Sequence, residues 1–328
     1  RRLGAEGPEV SAVGYGAMSF TDFYGPTTEA ESHAVLRRCL DLGIDHLDTS
    51  NVYGMGRSET VIGRFLAANG KDLFRIATKA GINRDPETGR RWYDNSAEHL
   101  EAELDKSLQR LGVERVDLFY IHRREAERPI EEVTEALAGL VAKGKTAAFG
   151  FSEIAPASLR RAAAVHPVAA VQSEYGIATR APELGLVQAC AELGTALVAF
   201  SPVGRGLLTD RPPTPERVAE SAFLKVNPRF QTPNLEANLA LTDRFRALAA
   251  ELGWSAAALA VAWTLAQGPH VLPIPGTRSV AHLKELAQGA ATPLDAETLA
   301  RIEAVLPPGW AWGDRYTAEQ WHGAERYS

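Results

Sequence analysis

Four side chains have the types and the spacing to run acid–base chemistry: Asp48, Tyr53, Lys79 and His122. Asp48 closes the apolar run 44–47, and Tyr53 follows five residues later in the next loop. Lys79 closes the run 73–78 and His122 closes 116–121. A phenol with a pKa near 10 exchanges its proton poorly at neutral pH. A neighbouring ammonium favours the phenolate, and lowering its pKa by about 3 corresponds to about 4 kcal/mol. In this reading Lys79 supplies the ammonium, Asp48 keeps it charged and placed, and His122 hydrogen-bonds a substrate oxygen. The matching chemistry is protonation of the alkoxide that forms when hydride reaches a carbonyl carbon. Taken singly, each residue also has a structural reading: an Asp48–Lys79 ion pair, a core histidine, a loop tyrosine. Their shared position at the ends of three consecutive strand-like runs favours a reaction centre, because parallel barrels and sheets gather catalytic groups at the C-terminal tips of strands.

The elements that must position these groups alternate along the whole chain. Eight short apolar runs read as buried parallel strands: 10–16, 44–48, 73–79, 116–122, 146–152, 168–173, 195–201 and 270–276. Amphipathic helices lie between them. Thr28 and Glu31 form a capping box before a helix that stops at Gly43. Ser96 caps a helix whose Ala97, Leu100, Leu104, Leu108 and Leu111 recur at helical spacing. Ile130, Val133, Leu137, Leu140 and Val141 form a third stripe between Pro129 and Gly144, and Ser255 and Gly268 bracket an Ala-rich helix carrying Trp263. Eight repeats without a break in composition predict an α/β fold, a single-domain (β/α)8 TIM barrel over residues 1–328. An open doubly wound sheet is the alternative, but Gly14 and Gly16 are followed by Ser19, so its GxGxxG turn is missing. Two stretches break the rhythm. The segment 203–231 is too long for a plain strand–helix connection and reads as a functional loop. Residues 307–328, with Trp310, Trp312, Tyr316 and Trp321, form a tail expected to fold back over the barrel mouth.

Composition narrows the partners. Of 328 residues 45% are hydrophobic and 23% charged, and the net charge of −6 argues against nucleic acid or an anionic membrane surface as the main partner. No apolar run approaches the roughly 20 residues of a membrane span. The first residues lack the apolar core of a signal peptide. Cys39 and Cys190 sit in helix-like stretches and read as free thiols, which fits a reducing, cytoplasmic setting. The histidines show no metal-ligand spacing, so no metal is expected, although His46 and Asp48 share a strand and leave a metal-dependent hydrolase as a weaker reading.

The string Asp48-Thr-Ser-Asn-Val-Tyr53-Gly54, then Thr78-Lys79, then Ile121-His122-Arg123, resembles the aldo-keto reductase superfamily in residue types and spacing, and related motifs continue from Val10 to Glu285. The resemblance implies a (β/α)8 barrel that reduces aldehydes and ketones with a nicotinamide cofactor, Tyr53 being the acid/base, Asp48 and Lys79 its tuners and His122 the carbonyl-orienting group. Phe23-Tyr24-Gly25-Pro26 and Gly313-Asp-Arg-Tyr316 resemble bacterial members related to the potassium-channel β-subunit type. By the same resemblance Ser152, Glu153 and Gln172 hold the carboxamide, with Glu153 where Asn is common, and Phe200 stacks on the nicotinamide where Tyr is usual. Ser201, Pro202, Gly204, Arg205 and Gly206 open a pyrophosphate clasp, in which small residues let backbone N–H groups approach an anion. Gly276, Thr277 and Arg278 precede a helix and resemble a segment gripping a 2′-phosphate, while His282 and Glu285 lie at the adenine end. Arg278 is the reason to expect NADP(H) in preference to NAD(H), which stays possible. Met18, Tyr24 and Trp92, with Phe20 and the tail tryptophans Trp310 and Trp312, lie past strand ends and are candidates to line a pocket for a small carbonyl substrate. A cofactor-binding sensor or partner subunit with little turnover is the competing function, and the oligomeric state stays open.

Overall fold

Eight strands run parallel around one axis, with helices outside them, in a computed structural model that describes residues 1–85, 87–291 and 293–327. The strands are β1 (Tyr15–Gly16), β2 (His46–Asp48), β3 (Arg75–Ala80), β6 (Val116–Ile121), β7 (Thr146–Ser152), β8 (Ala170–Glu174), β9 (Ala196–Phe200) and β10 (Val271–Pro273), paired in that order. The first and last strands meet: Gly14 N donates to Pro273 O (3.0 Å) and Gly16 N to Pro275 O (3.1 Å), which closes the ring. Glycine is required there, because a Cβ on Gly16 would lie 2.8 Å from Ile274 O. Each strand coincides with one of the eight expected runs. The run 10–16 joins the ladder only at its end. Its first residue, Val10, instead bonds Arg1 and packs with Leu3 against the inner barrel residues Ala77, Leu118, Ala170, Ala196 and Leu272.

The helices are α1 (Glu29–Asp41), α2 (Arg57–Asn69), α3 (Ala97–Leu111), α4 (Ile130–Ala142), α5 (Pro156–Val165), α6 (Leu186–Leu193), α7 (Pro215–Glu220), α8 (Asn234–Glu251), α9 (Ala256–Ala266), α10 (Val280–Gln288) and α11 (Ala296–Val305). The expected caps are present. Glu31 N donates to Thr28 Oγ1 while Thr28 N donates to Glu31 Oε2 (2.7 Å), and Ser96 Oγ accepts from His99 N. Leu100, Leu104, Leu108 and Leu111 are buried, as a one-sided stripe requires. Helix α9 is different: Ala256 to Leu265 are all buried, because α9 is covered on both sides by β10, α8 and α10. Among the described residues no single helix is long and apolar enough to cross a membrane.

A short antiparallel hairpin, β4 (Ile82–Arg84) and β5 (Arg91–Tyr93), is inserted between β3 and α3. The segment 203–231 contains α7 and three 3₁₀ turns, and packs on its own apolar cluster of Leu207, Val218, Leu224, Phe230 and Leu235. The tail crosses the barrel mouth as expected. Trp310 Nε1 donates to Ile177 O, Tyr93 OH to His322 O, and Glu325 N to Glu153 O.

Candidate active site

Three neighbouring strands deliver the four reactive groups to one rim. Asp48 ends β2, Lys79 lies near the end of β3, His122 follows β6, and Tyr53 stands in the loop between β2 and α2. Lys79 is fully buried, as are the carboxylate of Asp48 and most of His122. The Lys79 ammonium pairs with Asp48 Oδ1, donates to Thr49 O (2.8 Å) and lies 3.4 Å from Tyr53 OH. Asp48 Oδ2 accepts from Gln172 Nε2 at 2.7 Å. His122 packs edge-on against the Tyr53 ring, with centroids 5.7 Å apart, and its Nδ1 lies 3.0 Å from Ser50 Oγ. When Ser50 donates there, the imidazole keeps its proton on Nε2.

The electrostatics amend one expectation. The Tyr53 phenol is not lowered towards neutrality: burial raises its pKa well above 10, the Asp48 charge adds to this, and Arg123 opposes it. The lysine cannot dominate, because Asp48 contacts it directly and offsets its field at the phenol. Lys79 is itself lowered by burial, with Asp48 pulling it back up. Burial, then Lys79, Arg123 and Arg91, hold His122 well below 6.5, so its imidazole is neutral. The resting site therefore presents a protonated phenol and a neutral imidazole, both able to donate to one oxygen.

The remaining candidates lie along the other arc of the rim. Ser152 ends β7 and Gln172 lies at the middle of β8, both buried, and Phe200 ends β9 with its ring half-exposed above the inner barrel residues. Ser201 has φ of +53°, and Gly204, Arg205 and Gly206 follow with φ of 59°, 56° and 101°, a run of left-handed backbone that only small or strained residues adopt. Pro202 is buried beneath this turn, against Gly176. Gly276, Thr277 and Arg278 lead into α10, capped by Ser279, with His282 exposed and Glu285 half-buried on its first two turns. Arg278 Nη1 donates to Pro26 O (2.5 Å), which ties α10 to the loop after β1. An aromatic face, an amide, a turn of left-handed residues and a helix N-terminus thus follow one another from β7 to β10. These are the features that a flat ring linked to phosphates needs.

Two residues expected in that arc face elsewhere. The Glu153 carboxylate pairs with Arg315 of the tail and accepts from Ser173 Oγ (3.2 Å) and Glu174 N (2.9 Å), so its oxygens are occupied. Arg205 pairs with Glu174 (2.7 Å) and stacks on Phe223 (4.6 Å), so its side chain lies in a buried ionic cluster and not on an open phosphate site. Arg229 (3.4 Å) and Arg315 (3.8 Å) converge on the same Glu174. Among the pocket candidates, Met18 and Tyr24 are half-buried at the rim, Tyr24 beside Arg205, and Trp92 is 44% exposed on the hairpin. Phe20 stacks on Tyr15 (5.2 Å) in the core, Trp310 is buried, and Trp312 is exposed.

The sequence profile described as "Aldo/keto reductase family" matches residues 12–307. This chain belongs to the aldo/keto reductase family. It is 38% identical to aldo-keto reductase yakc (NADP(+)) of Schizosaccharomyces pombe, over 96% of this chain and 94% of that one. It is 36% identical to probable aldo-keto reductase 1 of Glycine max, over 100% and 93%. Among solved structures it resembles glycerol dehydrogenase AKR11B4 from Gluconobacter oxydans, with TM-score 0.83 and 29% identity, over 93% of this chain and 94% of that one. It also resembles the holo form of aldo-keto reductase AKR11C1 from Bacillus halodurans, with TM-score 0.78 and 26% identity, over 98% of each chain. As an aldo/keto reductase the protein is an oxidoreductase on a (β/α)8 barrel. Sequence reasoning did not single out Ser50, which faces His122, or the contacts of Arg123, which follows His122 and donates to Ser152 Oγ (3.1 Å) and Tyr316 OH (3.1 Å).

Proposed function

We propose that the protein reduces aldehydes or ketones to alcohols with NADPH, using Tyr53 as the general acid. The observation that carries this reading is the Tyr53 hydroxyl, 3.4 Å from the Lys79 ammonium and packed against His122, on the rim that the barrel reserves for chemistry. Ser152, Gln172 and Phe200 would hold the nicotinamide, Ser201 to Gly206 its diphosphate, and Gly276 to Arg278 with His282 and Glu285 the adenosine end. The bound cofactor supplies the hydride. The chain does the rest: the Nε2–H of His122 and the phenol of Tyr53 hold the carbonyl oxygen, and the phenolic proton moves to that oxygen as negative charge develops. Lys79 stabilises the phenolate left behind, and a proton from solvent restores Tyr53. The preference for NADP(H) is supported by Arg278 at the α10 N-terminus and by the NADP(+) in the name of the yeast relative. Reduction of simple aldehydes by purified protein, followed as NADPH oxidation, tests the reading. Tyr53→Phe is expected to lower kcat at least about 100-fold, the usual worth of a general acid, while cofactor binding stays within about twofold. Turnover retained in Tyr53→Phe removes the phenol from this role.

A further inference from the structure

The buried cations around the mouth are of two kinds. Arg205, Arg229 and Arg315 each sit on a carboxylate of Glu153 or Glu174. Arg123 does not: among the described residues no carboxylate oxygen lies within 4.0 Å of its guanidinium. Its neighbours are neutral, namely His122 O (2.7 Å), Ser152 Oγ (3.1 Å) and Tyr316 OH (3.1 Å). Glu153 is within electrostatic range, but its oxygens are occupied by Arg315, Ser173 and Glu174. Arg91, exposed on the hairpin strand β5, adds a second positive charge acting on His122 and has no carboxylate within ion-pair distance among the described residues. A half-buried guanidinium without a counter-charge is unfavourable, and a bound anion relieves it.

Topology says which anion. In the ring of eight strands β6 stands four places from β10 in either direction. Arg123 is therefore across the barrel from the Arg278 segment, on the side of Tyr53 and His122. An anion meeting it belongs to the molecule whose carbonyl those two groups address. A lone guanidinium with part of its fork already engaged matches a monoanion better than a dianion. We propose that Arg123, seconded by Arg91, selects carbonyl substrates that carry a carboxylate, so that oxo acids are the preferred class. This rests on the reductase reading above.

The test compares two rigid aldehydes of one shape, 4-carboxybenzaldehyde and methyl 4-formylbenzoate. The ester is the more electron-poor carbonyl, so intrinsic reactivity works against the expected result. The wild-type kcat/KM for the acid is expected to exceed that for the ester by about tenfold or more, a difference of about 1.4 kcal/mol. Arg123→Gln brings the ratio to within about twofold of unity, and Arg123→Lys leaves an intermediate ratio, because the charge remains without the fork. A wild-type ratio at or below unity, or a ratio unmoved by Arg123→Gln, overturns the proposal. Calorimetric titration of the acid into each protein with NADP+ present reads binding directly: about tenfold weaker affinity in Arg123→Gln supports the assignment, and equal affinity overturns it. If neither aldehyde is reduced yet this binding difference holds, the reductase reading falls and the anion site stands.

Discussion

At the scale of residues, the protonated phenol changes the pH dependence that a lysine-lowered tyrosine would give. Burial and Asp48 push Tyr53 up, so in the free enzyme the acid form persists beyond neutrality. For carbonyl reduction this is the competent form. The expected profile of kcat/KM for reduction is level from about pH 7 to about pH 9, since this parameter reports ionisations of free enzyme and free substrate. Alcohol oxidation needs the phenolate and should rise across the same range. A reduction rate that falls with a midpoint near 7 would show the phenol lowered instead. The four catalytic candidates were legible in the sequence because each lies at or just beyond the end of an apolar run, and run ends map to one rim. Ser50 and Arg123 were less legible in role: whether a polar residue beside such a terminus turns towards the site depends on strand twist and on the tail, and neither has a local signature.

Among the elements, the eight strands were readable because both faces of a barrel strand are covered, which leaves short, mostly apolar runs, with Asp45, His46, Arg75 and Asp117 as interruptions. The β4–β5 hairpin was not, since Ile82-Asn83-Arg84 and Arg91-Trp92-Tyr93 form neither an apolar run nor an alternating pattern, and it packs against a tail residue more than 200 positions away. Strand spacing yields its own prediction. A Cβ on Gly150 of β7 would lie 2.3 Å from Ala170 O and 2.7 Å from the Tyr120 ring, and Tyr120 in turn lies under Lys79. Gly150→Ala should force β7 from β8, costing roughly 1–3 kcal/mol as overpacking does, visible as a lower midpoint in urea. The α10 N-terminus carries another. Arg278→Ala should weaken NADPH by about tenfold, roughly 1.4 kcal/mol, and NADH by much less, because only the former has a 2′-phosphate for the guanidinium. Fluorescence titration with both nucleotides measures this, and equal losses would show that Arg278 does not read the phosphate.

For the whole molecule, the barrel, the long loop and the tail were each anticipated, but not their junction. Glu153 and Glu174 at the tips of β7 and β8 are the buried anions on which Arg205 and Arg229 of the loop and Arg315 of the tail converge. Aromatic rings fill the spaces between the cations: Arg315 lies 4.6 Å from the centroids of both Tyr316 and Trp321, and Arg205 lies 5.6 Å from that of Tyr316. No spacing rule reveals such a cluster, because its charged members are separated by up to 162 positions along the chain.

One consequence of that shared anion concerns how the mouth breathes. Lifting the tail strips Glu153 of Arg315 and loosens Glu174, while lifting the loop leaves Glu174 only its 3.8 Å ionic contact with Arg315, so release of one flap weakens the anchorage of the other. Amide deuteration of residues 203–231 and 308–325 should therefore proceed as one cooperative opening with a common rate and denaturant slope. Glu174→Gln should hasten both segments together, by a loss of about 3–5 kcal/mol typical of a broken buried pair, while leaving the strand amides slow. Independent rates for the two segments would mean that the flaps are separate lids which happen to touch.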